Sequence, residues 1–148
     1  MRLTAKSEYG LLALIDLAAA RDNGPVSVRD LAARRDIPQA FLEQLLATLR
    51  RAGLVTAVRG ARGGFTLMRE PSEITALDVV EALEGPLSPT VCDADGMCGR
   101  GGMCAAEPVW NRVSASVREV LAGFDLATLA MRQTLLDTPA DPTHVTKE

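Results

Sequence analysis

Apolar residues recur along this chain first at helical spacing, then at strand spacing, then at helical spacing again. From Thr4 to about Arg21, Leu11, Leu14, Ile15 and Ala18 follow an i, i+3, i+4 pattern, and Leu12 and Leu17 widen the face. That pattern predicts a helix, which Asn23-Gly24-Pro25 ends. Ser27 to Asp30 has the residues of a capping box, with Ser27 as N-cap, and opens a short helix carrying Val28, Leu31 and Ala32. Asp36-Ile37-Pro38 turns the chain, and Pro38 is expected at the first position of a helix running to about Ala52. Phe41, Leu45, Leu46 and Leu49 are its inward positions, and Gly53 stops it.

The period then drops to two. Leu54 to Val58 and Phe65 to Met68 predict two short strands around a basic, glycine-rich tip, Arg59-Gly60-Ala61-Arg62-Gly63-Gly64. Thr75 to Asp78 matches a second capping box and opens a helix through Leu83 that ends at Gly85-Pro86. After a loop, Pro108 starts a long helix with Trp110, Val113, Val117, Leu121 and Phe124 on one stripe. Gly123 or Asp125 is a candidate break in it, with Leu126 to Leu136 as a further helical piece, and the tail from Thr138 is expected to fray. The segments are 1–85, a loop at 86–107, a long helix at 108–137, and a tail.

This order predicts a mainly α protein with a winged helix-turn-helix in its first part. The second helix of the pair fits a major groove, and the glycine-rich tip can approach phosphate or minor groove closely. Winged helices also mediate protein contacts, so architecture alone does not define DNA binding. Two guanidinium groups at the tip, on Arg59 and Arg62, favour nucleic acid.

Charge sharpens that expectation. The chain of 148 residues carries a net charge of −3, yet residues 29–69 hold eight arginines against three acids, a net of +5. A basic segment in an acidic protein is an electrostatic footprint for phosphate. Aromatics make up 3% of residues, so Leu, Val, Ala and Ile must fill the core. The longest apolar run, Tyr9 to Ala20, is interrupted by Asp16 and falls short of the roughly 18 residues of a membrane span. With no signal-peptide pattern at the N-terminus, a cytoplasmic protein without membrane partners is expected. No nucleophile elbow, P-loop or dinucleotide fingerprint suggests an enzyme, and no small-molecule substrate is expected.

The only cysteines are Cys92, Cys98 and Cys104, each separated from the next by five residues in a glycine-rich loop. Three thiolates suit a soft metal centre, which needs a fourth ligand. A disulfide framework is not expected from an odd number of thiols in a reducing compartment. The spacing lacks the close Cys pairs of structural zinc sites, and inert or oxidisable thiols are the plain alternative.

The chain resembles the IscR/NsrR family of bacterial winged-helix transcription regulators. The resemblance rests on the opening Met-Arg-Leu-Thr-Ala-Lys-Ser-Glu-Tyr-Gly and on Phe41 to Leu46. It extends through Arg51 to Val55, Arg59 to Leu67 and Ile74 to Gly85, and ends with the three-cysteine loop followed by Trp110. It implies a homodimer on a pseudo-palindromic double-stranded DNA operator, acting as a regulator, most simply a repressor. It also implies an iron–sulfur cluster, [2Fe-2S] or [4Fe-4S], on Cys92, Cys98 and Cys104, sensing redox state, nitric oxide or cluster supply. The long helix would form the dimer interface through Trp110, Val113, Val117, Leu121 and Phe124.

The recognition helix would span about residues 38–51, with Gln39, Ala40, Glu43 and Gln44 near its exposed N-terminal turns. Gln reads adenine and Glu accepts from cytosine N4. Arg59 and Arg62 map onto the wing, and Arg50 and Arg51 touch phosphate or solvate the helix end. The departure is the fourth ligand. Where IscR-like proteins place a histidine this chain has Glu107, and where NsrR-like proteins place an N-terminal aspartate it has Glu8. Either glutamate, water or a small thiol could fill the position; the only histidine, His144, lies in the tail. The alternative is a cluster-free winged-helix regulator, of the CymR type, controlled by a protein partner or by zinc.

Overall fold

A computed structural model describes residues 3–87 and 104–138. Its first helix, α1 (Ala5–Ala19), starts where the Thr4 hydroxyl accepts the Lys6 amide. Ala13, Leu14, Ile15, Leu17 and Ala18 of α1 are buried, so this helix is the spine of the core. Gly10 lets α4 approach: a Cβ there would lie 2.2 Å from Leu83 Cδ1.

α2 (Val28–Arg35) and α3 (Gln39–Arg51) form the helix-turn-helix. Ser27 Oγ accepts the Asp30 amide at 3.1 Å, which is one half of the expected box. Asp36 takes a left-handed conformation, φ 51°, to turn the chain. Pro38 is the residue before the helix and Gln39 the first helical one, so Pro38 sits one position earlier than expected. The buried face of α3 is Leu42, Leu45, Leu46 and Leu49. Phe41, expected inward, is half-buried and meets Tyr9 edge-on at 6.0 Å, while Leu42 is fully buried. Burying each such leucine contributes about 1.5–3 kcal/mol.

The wing is an antiparallel pair, β1 (Val55–Val58) and β2 (Gly64–Leu67), with Val55 opposite Leu67 and Val58 opposite Gly64. Val26, just before α2, bridges to Phe65 through two backbone bonds of 3.0 and 2.8 Å. Gly64 permits this: a Cβ there would stand 2.3 Å from the Val26 carbonyl oxygen. The wing is thereby fastened to the start of the helix-turn-helix.

α4 (Ala76–Glu84) opens with both halves of the Thr75–Asp78 capping box. α5 (Glu107–Ala122) packs on α4, and Arg118 pairs with Glu81 across them. Residues 108–137 are not one helix. The chain breaks at Gly123, Asp125 caps α6 (Leu126–Asp137), and the junction is bonded to the start of α4. There the Ala76 amide donates to the Phe124 carbonyl at 2.8 Å and the Leu126 amide to that of Ile74 at 2.9 Å. Leu126 and Ala130 then join the core beside α1, so α6 completes the first unit instead of extending the α5 stripe. The result is mainly α with a winged helix-turn-helix. Among the described residues no helix is long and apolar enough to cross a membrane.

Candidate functional site

The exposed side of α3 follows from its buried one. With Leu42, Leu45, Leu46 and Leu49 inward, Gln39, Ala40, Glu43, Gln44, Arg50 and Arg51 stand on the outer surface. Gln39 Nε2 donates to Glu43 Oε1 at 3.0 Å, one helical turn on. That bond orients the carboxylate, so the two side chains stand as one polar pair on the outer surface. Thr48 Oγ1 donates to the Gln44 carbonyl at 3.1 Å and accepts from Arg51 Nη2 at 3.1 Å, which holds the Arg51 guanidinium along the helix.

Between α3 and β2 lies an open groove of about 520 Å³, lined by Glu43, Ala47, Arg50, Arg51 and Phe65. Arg50 and Arg51 are therefore part of a concave surface shared with the wing. Arg59 and Arg62 are exposed on the wing tip. Of the eight arginines between residues 29 and 69, only Arg35 forms an ion pair among the described residues. The other seven have no ion-pair partner among the described residues. Arg35 instead grips the buried Asp16 with two bonds, Nε to Oδ2 at 2.9 Å and Nη2 to Oδ1 at 2.5 Å, and so braces α2 on α1.

A second cleft, about 620 Å³, opens between the start of α2 and the wing tip, with Arg29 and Arg62 among its lining. The one signal for Arg29 in the sequence is its position in the basic segment.

The metal-ligand candidates lie only partly among the described residues. Cys92, Cys98 and His144 lie outside the described residues. Cys104 is half-buried with a free thiol, immediately before α5. The Glu107 amide donates to the Cys104 carbonyl at 3.1 Å, so thiol and carboxylate share one turn. Glu8 is exposed on α1, at a groove of about 290 Å³ bordered by Val80 and Leu121. Among the described residues no three His, Cys, Asp or Glu side chains are assembled as a metal site.

Of the expected interface stripe, Trp110, Val113 and Phe124 are exposed, whereas Val117 and Leu121 are half-buried. Val120, unremarked in the sequence, is the most exposed large apolar residue of α5, at 60%.

A winged helix-turn-helix whose arginines, Arg35 apart, have no ion-pair partner among the described residues points to a class, the DNA-binding transcription regulators. The profile of the family described as "Rrf2: Iron-dependent Transcriptional regulator" matches residues 3–132, and the chain belongs to that family. It is 40% identical over 137 residues to a protein of Azotobacter vinelandii named as a putative HTH-type transcriptional regulator, ORF2, covering 93% of this chain and 84% of that one. It is 39% identical over 130 residues to the HTH-type transcriptional regulator CymR of Bacillus subtilis, covering 88% and 90%. Among solved structures, IscR of T. potens superposes with a TM-score of 0.76 at 35% identity, covering 95% of this chain and 94% of that one. CymR of B. subtilis, titled the global cysteine regulator, also gives 0.76 at 36% identity, covering 89% and 98%. These relatives are transcription regulators, not enzymes. Regulators of the family bind DNA and are typically dimers.

Proposed function

We propose that the protein is a cytoplasmic, homodimeric repressor whose grip on a pseudo-palindromic operator is set by an iron–sulfur cluster. The cluster would sit on Cys92, Cys98 and Cys104, with Glu107 or Glu8 as an oxygen ligand, and would report redox state, nitric oxide or cluster supply. The carrying observation is the set of three evenly spaced thiols between α4 and α5, the last of them free at the head of α5. A hard oxygen on iron exchanges more readily than thiolate, which suits a sensor.

The chain's own contacts supply the route to DNA. Glu84, at the end of α4, bonds to Thr4 and Ser7 at the start of α1. Arg118 ties α5 to α4, and α1 packs on α3. How the segment between Glu84 and Cys104 is fastened therefore bears on the placement of both recognition helices in a dimer. Half-sites on one DNA face lie about 34–36 Å apart, so a small rotation of one subunit against the other weakens binding. A coupling of roughly 1–3 kcal/mol is enough for switching.

The likeness to CymR supports a second reading, a cluster-free regulator controlled by a protein partner or by zinc. Anaerobic purification separates the two. Iron and sulfide in stoichiometric amount, with visible charge-transfer bands and a Mössbauer spectrum naming the cluster type, are expected. Cys98→Ala should abolish them and change operator affinity, and Glu8→Ala against Glu107→Ala assigns the fourth ligand. A protein still colourless after reconstitution, or equal DNA affinity with and without the cluster, would leave only the DNA-binding half.

A further inference from the structure

We propose that the cleft between the first turn of α2 and the wing tip seats one phosphate of the DNA backbone, held from two sides by Arg29 and Arg62. The inference rests on the DNA-binding reading and adds to it a contact outside α3. Both guanidinium groups line this cleft of about 620 Å³, and neither has an ion-pair partner among the described residues. Asp30 lines it too, so two cations against one carboxylate leave a net positive lining in an open cleft wide enough to admit a backbone phosphate.

The two arginines belong to different elements, yet the backbone segments that carry them are tied together. Val26 and Phe65 exchange backbone bonds directly beneath the cleft, and Gly64 allows the two strands of chain to touch. At the tip, a Cβ on Gly63 would meet the Val58 oxygen at 2.3 Å, so the turn carrying Arg62 is tightly wound. The side chain of Phe65 faces the α3 groove while its backbone anchors the start of α2. A duplex with α3 in its major groove and the wing beside it must carry its backbone across the intervening ridge, where the first helix of such a pair crosses the phosphates. Arg29 stands on that ridge.

The test needs no operator sequence, because a phosphate contact is indifferent to bases. Binding to a random-sequence duplex of about 30 base pairs is measured by fluorescence anisotropy from low to moderate salt. The proteins are the unaltered chain, R29Q, R62Q, R29Q/R62Q and R112Q, the last a charge-matched control on α5. R29Q and R62Q should each weaken binding about 3- to 10-fold. The double variant should lose less than the product of the two, since they hold the same group. Its slope of log affinity against log salt should fall by about one phosphate's worth, near 0.9. R112Q should leave affinity and slope in place. R29Q behaving like R112Q, or a double variant equal to the product of the singles, would overturn the shared seat while leaving DNA binding intact. An unaltered protein with no salt-dependent affinity would overturn the DNA reading and the seat together.

Discussion

The carboxylate of Glu84 accepts the Ser7 hydroxyl at 2.7 Å, joining the last turn of α4 to the first turn of α1 across 77 positions of sequence. The same Oε1 accepts the Thr4 amide at 3.1 Å and the Thr4 hydroxyl at 2.5 Å. Burial of Glu84 opposes its ionisation, but the bonds from Thr4 and Ser7 outweigh it, and the net effect holds its carboxyl below the ordinary glutamate value. A lowered folded pKa means the ionised form stabilises the fold. That contribution is full above the unfolded value of about 4.3 and fades as pH falls through the folded one. Glu84→Ala should cost roughly 1–3 kcal/mol in urea unfolding at pH 7. The difference from the unaltered protein should shrink below pH 4. A penalty independent of pH would mean that the side chain acts by packing alone.

Asp16 and Arg35 make the ion pair most withdrawn from water among the described residues. Asp16 is 4% exposed, and its carboxylate together with the paired bonds raises the Arg35 pKa further above its usual range. Removing Asp16 leaves the half-buried Arg35 guanidinium without its partner, so Asp16→Ala should destabilise by about 1–3 kcal/mol. Replacing both with apolar residues of similar volume, as in D16L/R35M, should recover most of that loss. A double variant as unstable as D16A would show that the pair contributes through its specific bonds.

Gly64→Ala probes the fastening of the wing. The new Cβ would press on the Val26 carbonyl and the Ser27 amide, both backbone atoms with no freedom to swing aside. Overpacking of this kind costs about 1–3 kcal/mol. The Val26–Phe65 bridge should open, and affinity for DNA should fall more than stability does, because the wing loses its angle to α3. Unchanged DNA affinity alongside lowered stability would place the wing outside the interface.

What the sequence disclosed is mainly what is local. The Thr75–Asp78 box and the wing tip can be read directly, since each is settled within a few residues. Leu42 could not be separated from Phe41 by spacing alone; α3 turns Leu42 into the core and leaves Phe41 against Tyr9. Gly123 and Asp125 marked a break, but the direction of α6 depends on bonds to Ile74 and Ala76, some fifty residues away. The same holds for the candidate site. Gln39 and Glu43 are one turn apart and their bond is local, whereas the meeting of Arg29 with Arg62 depends on the Val26–Phe65 bridge. The choice between Glu8 and Glu107 depends on the placement of a second subunit and of residues 88–103, which no local pattern encodes.

The outer face of α5 makes the final prediction. Trp110, Val113 and Val120 are exposed on a helix of about 24 Å, Phe124 is exposed just past its end, and together they form an apolar surface that a single chain leaves in water. A second copy is the partner expected for it, helix against helix. Val120→Glu introduces a charge at a position already 60% exposed, so the single-chain fold should survive with its helical circular dichroism and melting behaviour intact. Sedimentation equilibrium of the unaltered protein should give about twice 15.7 kDa, and Val120→Glu should shift it toward one chain's mass. Operator affinity should fall far more than affinity for an isolated half-site, since two linked recognition helices gain from effective concentration. A variant that stays dimeric would move the interface off this face.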